Sequence, residues 1–423
     1  MSTILQPFES RNYRLYFGGQ CVSLIGSWMT NTATVWLAYH LTGSPVWLGI
    51  MAFVSQIPVF FGSPFAGVLA DRVNRHRLLI FVQTLSMCQS FTLAFFSLTN
   101  RMTIIHLLIL GCLQGFINAV DIPVRQSMVI QFIDKKEYLP NAIALNSSVF
   151  NMSRLVGPAI AGFVLAACGP GICFLVDGFS FLAVIGALLL MKMTQHVARA
   201  RGKHPIAEMV DGVKYVYHAF PMRLLLLLMS LFCFFGVPLN VLMPAFARDV
   251  FHGDARVLGF LMGSSGFGAM LGAIFLAMRK QIKGITRVIT GGGILFGVGM
   301  VCFALTHWLP LAMVILSMAG AGGVLIMASI NTLLQTLADE DKRGRVMSLF
   351  ALGFGGMAPL GSLTVGFLAA HIGTMETVIL NACIMLLGIT IFYRQIPHFR
   401  ATTRAHIEQQ KAAAIQTGLQ VNG

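Results

Sequence analysis

Four charged side chains stand inside long apolar runs: Asp121, Arg125, Arg154 and Asp177. A charge surrounded by hydrocarbon is expensive, so each must be paired, reach water or serve a function. Asp121 and Arg125 are four residues apart. On a helix they share a face and can form an ion pair along it. Asp121 lies thirteen residues before Asp134, and Arg154 lies thirteen after Asn141. Both are therefore expected about 20 Å from the same end of their helices. This predicts an Asp121–Arg125–Arg154 cluster in the middle of the first half of the chain. Two arginines against one aspartate leave positive charge over. The cluster then either binds an anionic group or takes up and gives off a proton; otherwise it is a static pair that pins two helices. Asp177, within two turns of the opposite edge, is expected to reach water.

Uncharged polar residues are spread over the other apolar runs. Asn31, Gln114, Asn118, Asn146, Asn151 and Asn331 are candidates to line a central cavity, with Gln56, Gln89, Asn240, Gln335 and Asn381 scattered likewise. Each is equally able to make an interhelical hydrogen bond. No nucleophile–base pair or metal-ligand spacing stands out. His40, His76, His106, His307 and His371 are isolated at loop edges, with no HExxH pattern. An integral membrane enzyme is a remote alternative, no cofactor or metal is expected, and no filter-like loop points to a channel. The eight cysteines lie in or beside apolar runs without CxxC spacing, as small hydrophobes do.

The elements that must position these residues follow from composition. The chain has 423 residues, 56% hydrophobic and only 10% charged, whereas soluble domains carry about 25% charge. Apolar runs long enough to cross a bilayer as helices extend over 13–39, 46–70, 78–98, 104–132, 141–168 and 172–191. Six more cover 224–246, 257–278, 288–305, 309–333, 346–370 and 377–392. The expectation is an all-α integral membrane protein of twelve spanning helices. A short N-terminal segment (1–12) precedes a first six-helix bundle (13–192). A polar linker (193–223) then joins it to a second bundle (224–392) and a polar, frayed tail (393–423). Within the linker, Ile206 to Tyr217 alternates apolar and charged residues at helical spacing, as an interfacial helix would. Met1 to Asn12 is polar and the first apolar run is too long for a removable leader.

The net charge of +14 falls in short clusters between apolar runs, which excludes a continuous nucleic-acid-binding surface. With both termini cytoplasmic, the inner loops receive Arg11, Arg14, Arg72, Arg75, Arg77, Lys135, Lys136, the linker cations, Arg279, Lys280, Lys283, Arg287, Lys342, Arg343 and Arg345. Only Arg101, Arg248 and Arg256 face outward. That asymmetry is the positive-inside pattern, and the basic loops are placed to face anionic lipid.

The two halves repeat each other. Leu41 to Gly49 (LTGSPVWLG) is echoed by Phe251 to Gly259 (FHGDARVLG), and Gly162 to Gly169 (GFVLAACG) by Gly366 to Gly373 (GFLAAHIG). A common offset near two hundred residues is what a parallel repeat about an axis along the membrane normal produces.

Between the second and third runs stands Gly67-Val-Leu-Ala-Asp71-Arg72-Val-Asn-Arg75-His-Arg77. A basic turn there sits against the negative end of the preceding helix dipole. On the fifth run stands Arg154-Leu-Val-Gly157-Pro158-Ala-Ile-Ala-Gly162, and Gln114-Gly115 lies on the fourth. Together these motifs resemble those of the major facilitator superfamily over residues 13–392. The glycine–proline helix is similar to that of its antiporter branch. Asn74 replaces a second glycine of the loop motif, and Gly111 replaces the arginine usual on the fourth helix. Asp121 to Gln126 and the linker look most like the branch of the enterobactin exporter and the macrolide efflux proteins.

The resemblance implies a monomer of two facing bundles in a bacterial inner membrane, with Gly67, Asp71, Arg72, Arg75, Arg77, Gly157, Pro158 and Gly162 as conformational motifs. It implies alternating access by rocking and proton-coupled export of a small amphiphilic molecule, a siderophore or drug. Lysophospholipid movement is the alternative. Small-residue spacings at Gly259/Gly263, Gly268/Gly272 and Gly293/Gly297 are expected to serve close helix packing.

Overall fold

The computed structural model describes residues 3–191, 205–279, 284–340 and 342–421. The cations Arg199, Arg201, Lys203, Lys280 and Lys283 and the side chain of Asp71 lie outside the described residues. Helices account for almost all of what is described. In chain order they are α1 (Arg11–Thr42), α2 (Pro45–Arg72), α3 (Arg75–Leu98), α4 (Ile104–Met128), α5 (Leu139–Cys168) and α6 (Pro170–Leu190). The linker contains α7 (Pro205–His218). The second half contains α8 (Phe220–Val250), α9 (Ala255–Met278), α10 (Ile285–Leu305), α11 (Leu309–Leu337), α12 (Arg343–Ile372) and α13 (Thr374–Val421).

Among the described residues, 11 segments are long and apolar enough to cross a membrane. The exception among the expected twelve is α1. It has the length, at 32 residues, but Asn31 and its threonines and tyrosines dilute its hydropathy. It lies in the bundle all the same, packed on α6 and α5. Two other expectations change. α8 is not one regular helix: an α-helical start to Leu231 gives way to a π turn at Phe232–Gly236, a 3-10 stretch at Val237–Leu242 and a second π turn at Phe246–Val250. Pro238 and Pro244 each lack the amide that a continuous α-helix requires at its interior positions. The tail from Tyr393 is not frayed but continues α13 to Val421, through a stretch rich in the helix formers Ala, Gln and Lys.

Packing repeats across the halves. α2 lies on α4 as α9 lies on α11, and α3 lies on α6 as α10 lies on α13. Between the halves, α5 packs on α9 and α2 packs on α12. The repeat is visible in the turns as well. α5 and α12 both end at a glycine with positive φ, Gly169 at 78° and Gly373 at 100°, the two residues that close the matching sequence segments. Helix ends divide the molecule into a basic end, with Arg72, Arg75, Arg77, Arg343 and Arg345, and a far end, with Gly43, Gly169 and Gly373. At the basic end, Asn74 caps α3 by accepting from the Arg77 amide at 3.1 Å with an extended backbone. An N-cap side chain replaces the glycine of the loop motif there. α7 docks beside α12, where the Tyr215 hydroxyl donates to Asp339 at 2.8 Å.

Candidate functional site

α4 carries its polar residues in one stripe, because Gln114, Asn118, Asp121 and Arg125 recur at spacings of four, three and four. The stripe faces α3. Asp121 is buried at 3% exposure and is held twice: it pairs with Arg125 on its own helix and accepts from Gln83 Nε2 at 2.6 Å. One turn further, Gln114 Nε2 donates to Asn118 Oδ1 at 3.0 Å and to Ser86 Oγ at 3.4 Å. The expected ion pair therefore exists, and Asp121 has both a counter-charge and a neutral donor.

Arg154 does not join that pair. α4 ends at Met128 and passes into a 3-10 turn at Val129–Gln131, so the thirteen residues from Asp121 to Asp134 are not all helical rise. Counted through that turn to Gln131, Asp121 lies about 16 Å inside the end, whereas Arg154, fifteen residues into α5, lies at about 22 Å. Among the described residues Arg154 makes no hydrogen bond or ion pair, although it is half-buried. Its backbone marks the interface between the halves: a methyl on Gly266 of α9 would stand 2.9 Å from the Arg154 carbonyl oxygen. Arg154 thus has its backbone at mid-depth in the plane where the halves meet, and its guanidinium has no partner among the described residues.

Asp177 does not reach water. It is buried at 2% exposure. It accepts from Ser90 Oγ of α3 at 2.9 Å and from Ser27 Oγ of α1 at 3.4 Å, with Ser180 Oγ also at 3.4 Å. Ser90 and Gln89 are buried with it, and Gln89 Nε2 in turn donates to the Leu110 carbonyl at 3.3 Å. α3 therefore carries a buried polar seam from Gln83, on Asp121, to Ser90, on Asp177. The periodicity of Gln83, Ser86 and Ser90 is the signal in the sequence from which this could have been read.

The remaining cavity candidates divide. Asn146 Oδ1 accepts from the Tyr13 hydroxyl at 3.3 Å, and Asn151 bonds the Ser147 carbonyl of its own helix at 2.8 Å. Asn331 accepts from Gln335 at 2.7 Å near the basic end of α11. Asn31 is exposed on α1 and makes no hydrogen bond among the described residues.

The conformational motifs fall on contacts between helices. Gly157 abuts α1, where a methyl would collide with the Trp28 Cβ, and Pro158 is buried beside it. Gly162 meets Gly259 of α9: a methyl on either would lie 2.9–3.0 Å from the other's Cα. The same contact is repeated between α2 and α12. There a methyl on Gly49 would be 2.6 Å from the Ser362 carbonyl and 3.0 Å from the Gly366 Cα. These four glycines are the ones paired by the sequence repeat, Gly49 with Gly259 and Gly162 with Gly366. Gly268 and Gly272 press on α11, and Gly293 and Gly297 on α13, so the small-residue spacings serve packing. Gly111, in place of the family arginine, faces Met51 and Ser55 of α2, and Gly115 faces the Ser55 carbonyl. The close fit of α4 on α2 leaves no room for a long side chain.

Contacts between the halves run from mid-depth to the far end. At that end the Tyr39 hydroxyl of α1 bonds Asp249 of α8, and the Arg248 guanidinium lies 5.9 Å from the Tyr39 ring. Residue type alone does not bring these together across 210 positions. Toward the basic end α2, α5 and α9 expose large apolar side chains, Phe61, Phe65, Phe150 and Met278 among them.

Known proteins resemble this chain over most of its length. The staphyloferrin A transporter of Staphylococcus aureus is 25% identical over 388 residues, covering 90% of this chain and 95% of that protein. The multidrug efflux pump Tap of Mycolicibacterium fortuitum is 24% identical over 384 residues, covering 89% and 93%. Among solved structures, a bacterial homologue of the human lysosomal transporter Spinster superposes with a TM-score of 0.66 at 14% identity, over 95% of this chain and 98% of that one; at that identity the likeness shows the fold. The sequence profile of the transmembrane secretion effectors matches residues 2–420. The chain is a transporter, not an enzyme, and belongs to the transmembrane secretion effector family of the major facilitator superfamily.

Proposed function

We propose that this protein exports a small amphiphilic compound, a siderophore or drug with an anionic group, in exchange for protons. The observation that carries the reading is Arg154: a half-buried side chain with no partner among the described residues, its backbone at mid-depth where the halves meet. An arginine in that setting needs an anion, and a ligand carboxylate or phenolate can fill its fork of donors. Asn31, Gln114 and Asn118 are neutral hydrogen-bonding groups of the same half, while Asp121–Arg125 with Gln83 fastens α3 to α4. The basic end is read as cytoplasmic under the positive-inside rule in a bacterial inner membrane, and one chain is the working unit. In that orientation the far-end contacts seal the outside and the molecule opens inward. The named relatives, a siderophore transporter and a drug efflux pump, support the direction and the substrate class.

The test is accumulation in a bacterial strain lacking its own drug and siderophore exporters. Expression of the protein is expected to lower cell-associated staphyloferrin A or the carboxylate drug fusidate, and a protonophore to abolish the difference. Accumulation unchanged by expression for both compounds overturns this substrate class.

A further inference from the structure

We propose that Asp177 is the site at which the exchanged proton is held. This rests on the proton-exchange reading and adds to it the residue and the way it is uncovered. The carboxylate is at 2% exposure, and hydroxyls surround it: Ser27 of α1, Ser90 of α3 and Ser180 of α6. The Thr30 side chain of α1 also faces it, with its hydroxyl outside hydrogen-bond geometry. No cation meets it. α6 has no other charged residue, and the charges of α1 and α3 lie at their ends: Arg11, Arg14 and His40, and Arg75, His76 and Arg77. Behind Ser90 stands neutral Gln89, and Cys173 lies one turn away on α6. α5, which also touches α6, has Arg154 as its one charged side chain, and no bond joins it to Asp177.

An anion so placed is uncompensated, whereas a protonated acid is fully served by the hydroxyls, which both donate and accept. The cradle is closed to hydrogen-bond distances. A methyl on Gly26 would lie 2.7 Å from Ser180 Oγ and 2.8 Å from Asp177 Oδ1, so the packing suits a proton rather than a metal ion. Asp121 contrasts with it, being neutralised by Arg125.

α1 couples this site to the far end. Its Gly26–Ser27 segment covers Asp177, and twelve residues on, its Tyr39 bonds Asp249 of α8. Asp177 is seven residues from the far end of α6, about 10 Å deep. Parting of Tyr39 from Asp249 moves α1, the cover, and opens Asp177 to the outer side. The proton is taken up on an Asp177 oxygen there; once the seal has reformed Asp177 is covered again and holds it, and its release to water on the basic side follows a second displacement of α1 from α3 and α6.

The test uses the full chain in liposomes with a trapped pH dye, with staphyloferrin A and the carboxylate drug fusidate as probes. Asp177→Asn is expected to abolish compound-driven proton movement while counterflow of the same compound, which needs no net proton transfer, continues. Proton movement retained in Asp177→Asn overturns the inference and leaves the exchange reading intact. Absence of proton movement in the unaltered protein, with either probe crossing, overturns both. If Asp177→Asn shows no counterflow either, Ser90→Ala decides. Losing one hydrogen bond to the ionised form is expected to move the pH midpoint of proton movement upward by about one unit, and an unmoved midpoint overturns the assignment.

Discussion

At the residue scale, the two buried acids of the first half differ in what surrounds them. Asp121 has Arg125 and Gln83, and Asp177 has only hydroxyls. Removing one partner of a buried ion pair leaves the other charge stranded. Asp121→Asn is therefore expected to destabilise the protein by about 3 kcal/mol, read as a lowered unfolding temperature in detergent. Asp121→Asn with Arg125→Gln should recover most of that loss. A single variant as stable as the unaltered protein would show that the pair does not fasten α3 to α4. Arg154 is expected to behave in the opposite way, since no partner among the described residues depends on its charge. Arg154→Gln should leave stability unchanged but weaken binding of anionic compounds by about 1.5–3 kcal/mol, roughly ten- to a hundredfold. Equal loss for neutral and anionic compounds in transport assays would remove the guanidinium from substrate recognition. Spacing alone revealed the Asp121–Arg125 pair, because four residues on one helix is a local matter. It misplaced Arg154 and Asp177. The first depended on where α4 ends, and the second on whether α1 lies over α6, which are tertiary facts.

At the element scale, the two glycine seams carry the strongest consequences. Gly49 against Gly366 and Gly162 against Gly259 allow backbone-to-backbone approach at the far end. Gly162→Val or Gly49→Val is expected to wedge that end open. Spin labels on the far ends of α2 and α12, and of α5 and α9, should report longer distances than in the unaltered protein, with transport lost. Unchanged distances with normal transport would mean the seams are not the contact surface of rocking. The α3 cap is a smaller matter. Asn74→Ala should cost about 1 kcal/mol and Asn74→Gly only a few tenths, measured by thermal unfolding. Most elements were legible as apolar runs, and the small-residue spacings pointed correctly to close packing. α1 was legible by length although its hydropathy is diluted. The interruption of α8 was written in Gly236, Pro238 and Pro244 but is masked by the unbroken hydrophobicity around them. The continuation of α13 past Phe392 follows from helix propensity, which an apolar-run reading ignores.

At the scale of the whole molecule, the same packing occurs twice and the halves meet through equivalent helices. That symmetry was present in the sequence as two short echoes, and the glycines those echoes share turned out to touch one another. What the echoes could not say is which end of the molecule is sealed. Tyr39 and Asp249, 210 residues apart, belong to opposite halves, and only the docking of α1 on α8 joins them. Close contact from mid-depth to the far end, with Phe61, Phe65 and Met278 exposed toward the basic end, is the geometry from which alternating access by rocking begins.

The most direct test of the account is proton movement by the purified protein in liposomes, challenged in turn with staphyloferrin A, the carboxylate drug fusidate and a lysophospholipid. The account predicts saturable proton movement tied to the siderophore or the drug and none with the lysophospholipid. Lysophospholipid crossing without proton movement, while neither of the other compounds moves, would contradict it.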